Sequence, residues 1–184
     1  MLDVLNQFGE FTDQTATRKA CHQEGLWHRG VVVNIVKPDK SQILLQKRSQ
    51  TKKLWPGLWD MAIGGHVAAG EFSYQAALRE AEEEIGLKFN PENLLFIGST
   101  ISENQVPDII NRHFNDFFVL FADLDASKLT LQPEEVEAIS WIDLKDFQSR
   151  VTNNYEGLTD KASCWDYLLK FLRNANSQKQ SNRS

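Results

Sequence analysis

Cysteine is scarce in this chain: Cys21 and Cys164 are the two it has, far apart and outside any CxxC or metal-binding spacing. A disulfide framework is thereby excluded as the source of stability, and a reduced, cytosolic setting is expected. No apolar run approaches the ~20 residues that cross a bilayer, and nothing resembles a signal peptide, so neither membrane insertion nor export is expected. A basic excess is absent too. With a net charge of −5 the chain has no general attraction for nucleic acid or an anionic membrane, although a local basic pocket is compatible with it. No internal repeat is evident. What remains is ordinary for a globular enzyme: 184 residues, 41% hydrophobic and 24% charged, enough for one domain with a proper core. Residues 1–173 read as that domain, with 1–30 as an N-terminal arm. Residues 174–184 are polar and are expected to be a disordered tail.

The informative stretch is GHVAAGEFSYQAALREAEEEIGL, residues 65–87. Glu80, Glu83 and Glu84 stand at i, i+3 and i+4, which puts their carboxylates on one face of a helical turn. Such neighbours repel, at a cost of a few tenths of a kcal/mol per pair, unless a hard cation draws their oxygens together. Arg79 is always protonated and cannot be a ligand, but its guanidinium can grip a carboxylate in a bidentate pair. Ser73 is the expected N-cap and Gly86 the expected C′ residue, giving a helix from Tyr74 to Ile85 with Ala76, Ala77, Ala81 and Ile85 as its packing face. Gly64 and Gly65 just before it allow close approach of the backbone.

Gly65, five residues, Glu71, seven residues, Arg79-Glu80-Ala81, one residue, Glu83-Glu84, one residue and Gly86-Leu87 together resemble the complete Nudix box. The resemblance implies an α/β fold, an α/β/α sandwich with a mixed central sheet. It also implies hydrolysis of a diphosphate linked to some moiety X with Mg²⁺, or Mn²⁺, as cofactor. By the same resemblance Glu80, Glu83 and Glu84 are metal ligands, with the Gly65 carbonyl as a further one, and Glu71 supports the loop or Arg79. The general base is either Glu83 or a glutamate in the neighbourhood of residues 132–137, with Glu135 preferred to Glu134. A homodimer is favoured by family precedent.

QKRS at 46–49, WPGLWD at 55–60 and GGH at 64–66 are similar to the isopentenyl-diphosphate-isomerase-like branch of that family. True isomerases of this scaffold require a cysteine just before the box glycine, and Gly64 stands there; a hydrogen atom cannot replace a thiol in acid–base chemistry. A hydrolase is therefore expected. The isomerase is the alternative and a diphosphate sensor without activity the third reading.

Outside the box, Val31–Val36 and Gln42–Arg48 read as buried strands joined by a turn at Pro38–Ser41. Arg48 shares a face with Gln46 and is a candidate phosphate ligand, or else a surface arginine at a strand end. Lys52 is a candidate cation for the diphosphate, and Trp55 a candidate wall beside it. Trp59 reads as core and His28 as a hydrogen-bonded structural histidine. A hairpin over residues 2–12 with Gly9 at its bend and a short helix over Thr17–His22 ending near Gly25 form the arm, lying over the substrate mouth or between subunits. His113 and Asp116, on a strand from Arg112 to Ala122, read as pairing with backbone or each other, and residues 101–111 as a loop or hairpin tip. A final helix over Thr159–Leu172 buries Cys164, Trp165, Leu168, Leu169 and Leu172.

Overall fold

The computed structural model describes residues 1–181, and the side chains of all of these except Ser163 and residues 175–181. A hairpin of β1 (Leu2–Leu5) and β2 (Phe11–Ala16) opens the chain as a sheet of its own, turned at Gly9, whose φ of 83° suits a residue without Cβ. Thr17 caps α1 (Arg18–Glu24) by accepting from the Ala20 amide, and Gly25 ends it in the left-handed conformation. Hydrogen bonds tie the arm to the loop carrying Ala69 and Gly70, whose amides donate to the Met1 carbonyl and the Asp3 carboxylate.

Seven strands make the main sheet: β3 (His28–Val36), β4 (Gln42–Arg48), β5 (Trp59–Met61), β6 (Ile63–His66), β7 (Leu94–Val106), β8 (Ile109–Phe121) and β9 (Val136–Asp143). Their order is β5-β4-β3-β8-β7, with β6 added to β3 and β9 to β4. β3 and β8 run parallel and the other pairs antiparallel, so the sheet is mixed, as expected. β3 lies at its centre with both faces covered, which is why its run Val31–Val36 is apolar but for Asn34.

The feature that creates the site is a fork. β3 and β4 share only the pairs Ile35–Leu44 and Val36–Ile43 before they separate. Residues 59–66 run through the gap: β5 pairs with β4 at Leu45–Lys47, then β6 pairs with β3 at Gly30–Val33. Glycines 64 and 65 are thus held beside the central strand by sheet hydrogen bonds, and α2 (Ser73–Ile85) follows directly.

One face of the sheet is covered by α2. Ala76, Ala77, Ala81 and Ile85 are fully buried against Val31, Val33, Ile35 and Ile63, small residues allowing the helix to come close to the sheet. Against the other face pack α3 (Leu144–Thr152) and α4 (Ala162–Ser181), through Phe147, Trp165, Leu168, Leu169 and Leu172 onto Val32, Val36, Leu45 and Phe117. Trp165 is fully buried edge-on to Phe147, with its indole N–H donating to the Thr159 carbonyl. Truncating it to alanine would cost about 3–5 kcal/mol, as is usual for a large core cavity.

Several expectations shift. α2 begins at Ser73, with Phe72 in the N-cap position; Gln75 accepts from the Phe72 amide, while the Ser73 hydroxyl donates instead to Asp116 at 2.5 Å. Residues 101–106 and 109–111 are strand in a long β7–β8 hairpin, and only Pro107-Asp108 turns. α4 starts at Ala162 and continues to Ser181, so helix extends into the segment whose polarity suggested disorder; residues 182–184 lie outside the described residues.

Candidate active site

The cleft over the fork encloses about 710 Å³ and is lined by Gly64, Gly65, Glu80, Glu83, Glu84 and Glu135 among others. Arg79 is its organiser. Nε and Nη2 donate to the two oxygens of Glu71 at 3.1 and 3.0 Å, Nη1 to Glu80 at 2.8 Å and Glu83 at 3.3 Å, and Nη2 also to the His66 carbonyl at 2.9 Å. This planar fork of donors fastens the helix to the loop ahead of it, a task lysine could not perform. Burial pushes Glu71 upward, but hydrogen bonds from Arg79 and the Ala68 amide outweigh it and hold the carboxyl below its ordinary value. Its place is in supporting the loop.

The three acidic residues of the helix turn differ sharply in environment. Glu83 is half exposed, and among the described residues its carboxylate meets Arg79 in a long contact at 3.3 Å. Glu80 is mostly buried, and desolvation raises its pKa in spite of Arg79. Glu84 is 6% exposed, and its carboxylate accepts from the Gly64 amide at 3.2 Å. Burial, reinforced by the charges of Glu80, Glu135 and Asp60, pushes it up to about 8. Gly65 is a steric necessity, because a Cβ there would stand 2.0 Å from the Glu80 carboxyl carbon. Gly64 is not: a Cβ would meet only the Val31 carbonyl, at 3.8 Å.

Opposite the helix stand cations. Arg48 is no surface arginine; it donates to Asp60 and to the Leu54 carbonyl at 3.1 Å each. Lys52 pairs with Glu135, so these two candidates occupy each other. Glu135, and not Glu134, is among the lining residues. Trp55 lines the cleft at a positive φ of 51°, with the Lys161 ammonium 5.5 Å from its ring centre. Trp59 packs on the core, as expected. From the arm, α1 contributes Arg18 and His22 to the lining of the cleft.

Sequence reading missed three things. Asp60, fully buried, accepts from Arg48, Lys161 (2.6 Å), Thr159 (3.1 Å) and the Met61 amide (2.9 Å). Asp116 does not pair with His113; it accepts from Arg29, Ser73 and Ser99, joining β3, α2 and β7. Thirdly, His22, His28, His66 and His113 come together from four different elements. Burial lowers the pKa of each, to about 4 for His22 and well below the ordinary value for His66 and His113, so the rings are neutral.

The family profile described as the NUDIX domain matches residues 26–161, well over half of the chain. The chain belongs to the Nudix family. It is 36% identical over 151 residues to Nudix hydrolase 3 of Arabidopsis thaliana, an alignment covering 80% of this Nudix chain but only 20% of that protein, so the chain spans about a fifth of that relative's length. It is also 32% identical over 120 residues to Isopentenyl-diphosphate Delta-isomerase 1 of Photorhabdus laumondii, covering 65% of this chain and 66% of that one, in keeping with the isomerase-like branch. Among solved structures, DR0079 from Deinococcus radiodurans superposes with a TM-score of 0.69 at 23% identity over 90% of this chain and 96% of its own, which speaks for the fold. The chain's family acts on diphosphate-containing substrates with divalent metal ions, and of the relatives above one is named a Nudix hydrolase and one an isomerase.

Proposed function

We propose that the protein is a Mg²⁺-dependent hydrolase of a small-molecule X-linked diphosphate, such as a nucleoside di- or triphosphate or another organic diphosphate. The observation that carries this reading is the mismatch of charge in the helix turn. Glu84 is buried and Glu80 mostly so, yet the guanidinium of Arg79 hydrogen-bonds to Glu80 and Glu83 and not to Glu84, and it is shared with Glu71. Carboxylate and carbonyl oxygens are the donors hard cations take, so Glu80, Glu83, Glu84 and the Gly65 carbonyl fit Mg²⁺, or Mn²⁺, in chemistry. When bound, the metal would neutralise the diphosphate and acidify an attacking water.

The chain's own groups supply the rest. Arg79 positions the carboxylates, and either Glu83 or Glu135 accepts the proton of water. Arg48 and Lys52 receive the diphosphate oxygens, and Trp55 forms the wall beside them. Lys52 and Glu135 neutralise one another in the resting cleft. A diphosphate that draws Lys52 away would release Glu135 as base at the moment substrate arrives. Exposed Phe8 and Phe11 on the arm support a homodimer, which light scattering would reveal.

The isomerase reading lacks its thiol, since Gly64 occupies that position. The deciding experiment is product release from a panel of nucleotides, ADP-ribose and isopentenyl and geranyl diphosphates with Mg²⁺, in wild type and Glu83→Gln. Glu83-dependent phosphate or pyrophosphate release is the expected result, and its best substrate defines X. Isomerised prenyl diphosphate without hydrolysis would overturn the reading, and binding without turnover of any compound would favour a sensor.

A further inference from the structure

The cleft-facing side of β8 changes character along its length. Asn111, His113, Asn115, Phe117 and Val119 alternate onto one face of the strand. Phe117 and Val119 are fully buried with α3 and α4, where helices cover the sheet. Asn111, His113 and Asn115 line the cleft, where no helix covers it. Apolar side chains thus give way to polar ones at the point where the cleft opens.

Asn111 is 6% exposed and Asn115 8%. Amides buried so far are ordinarily satisfied within the protein. These two are not. Asn111 faces Asn104 across the β7–β8 pair and donates to its Oδ1 at 2.9 Å. A primary amide has two N–H donors and a carbonyl with two lone pairs, so one bond between two amides leaves most of both unused. Whichever way the pair is turned, one NH₂ and one carbonyl remain without a partner among the described residues, on side chains that line the cleft. Asn115 stands opposite Gly30 of β3, where an added Cβ would come within 2.6 Å of its Oδ1, so the bare glycine is what admits this amide. Among the described residues no group bonds to it, and it too lines the cleft.

We infer that Asn104, Asn111 and Asn115 are the residues that read X, and that X offers a hydrogen-bond donor and acceptor side by side, as a nucleobase edge or sugar hydroxyls do. This assignment rests on the proposed hydrolysis and names the part of the substrate that Arg48, Lys52 and the acidic helix do not touch. An amide meets a donor–acceptor pair with two hydrogen bonds at once, as asparagine does on the edge of adenine. A hydrocarbon chain in the same place would take water from the three amides and return no bond. Sites built around buried polar groups reject analogues that cannot bond to them by about 10⁴-fold. Likeness to an isomerase therefore does not carry a prenyl moiety with it, because the wall that would face the prenyl chain is made of amides.

The test compares the four common nucleoside diphosphates, phosphoribosyl diphosphate (a sugar diphosphate with no base), geranyl diphosphate and inorganic pyrophosphate, which has no X. Dissociation constants come from calorimetry with Mg²⁺ in the Glu83→Gln protein, where turnover is suppressed, and kcat/KM from the protein with Glu83 intact. A nucleotide or the sugar diphosphate should exceed geranyl diphosphate in kcat/KM by at least about a thousandfold. Which of the two is preferred identifies the source of the donor–acceptor pair. Asn104→Leu, on the half-buried strand, and Asn111→Leu should each weaken the best substrate at least about tenfold, through Kd and KM more than kcat. Pyrophosphate should bind both variants within about twofold of the parent protein, since it makes no use of the amides. Geranyl diphosphate bound as well as any nucleotide or sugar compound, a loss that falls equally on pyrophosphate, or undiminished affinity in both variants would each overturn the assignment. Nucleotide or sugar binding that depends on the asparagines, without cleavage, would refute the hydrolase and keep the assignment. Cleavage indifferent to the asparagines would do the reverse.

Discussion

The α-carbon of Gly65 lies directly beneath the carboxylate of Glu80: an added Cβ would come within 2.0 Å of Cδ and 2.2 Å of Oε1. A proposed metal ligand is thus positioned by the absence of a side chain on the neighbouring strand. Gly65→Ala should drive Glu80 from its place and lower kcat about a hundredfold or more, since misplacement by an ångström is costly in a preorganised site. Gly64→Ala, with 3.8 Å of clearance, should stay within about threefold of wild type. Steady-state kinetics on the pair decides it, and equal losses would refute the steric argument.

Arg79 binds two oxygens of Glu71 together with Glu80, Glu83 and a carbonyl, a pattern only a guanidinium satisfies. Arg79→Lys should keep the charge but lower kcat by about ten- to a hundredfold. Its stability cost should be near 1 kcal/mol, because the group is a third exposed and screened. Combined with Glu71→Gln, the loss in kcat should be smaller than the product of the single losses. Full additivity would show that the two act independently.

Metal should stabilise the fold as well as serve the reaction. At Mg²⁺ a hundredfold above its Kd, a ligand that binds only the native state adds about 2.7 kcal/mol. Calorimetric scans of wild type with and without Mg²⁺ should show a rise in Tm of that origin, and Glu84→Gln should show almost none while its kcat falls about a thousandfold. An unaltered Mg²⁺ response in the variant would remove Glu84 from the ligand set.

Asp60 carries a pH signature. Burial would raise its pKa, but Lys161 and Arg48 prevail and hold it below the ordinary 3.8. A group whose native pKa is lowered lends stability above its unfolded value and forfeits it as the pH falls through the native value. Asp60→Asn should therefore cost about 3 kcal/mol at pH 7, with Arg48 and Lys161 left unpaired. The gap to wild type should narrow below about pH 3.8. Urea titrations at pH 7, 4 and 2.5 measure it, and a gap that does not change with pH would exclude the ion pair as its cause.

Local spacing carried most of what was readable. The helix over residues 73–85, its left-handed cap at Gly86, the arm hairpin and the packing stripes of α2 and α4 all depend on residues within a few turns of each other. The long-range partners of Asp60, Asp116 and the four histidines were not legible for the opposite reason. Asp60 meets Lys161 across about a hundred positions, and His28 meets His113 only through the register of two parallel strands. Each is an unremarkable residue until the sheet is assembled. Ser73 misled because a tertiary acceptor, Asp116, outcompeted the local capping amide. Residues 101–106 misled because an exposed hairpin strand alternates little more than polarity, so it reads as loop.

The fork between β3 and β4 divides the protein into two provinces. On one side the box helix, Gly65, the His66 carbonyl and the arginine–carboxylate lattice hold each other in place, so that an exchange at Gly65 or Arg79 disturbs its neighbours. On the other, the far end of the cleft is walled by Ile101, Ser102, Asn104 and Asn111 of the β7–β8 hairpin and by Arg18 of the arm, none of which hydrogen-bonds to the acidic helix. Exchanges in the hairpin would therefore change one wall of the cleft while leaving the arginine–carboxylate lattice in place, so the two sides of one scaffold can vary independently.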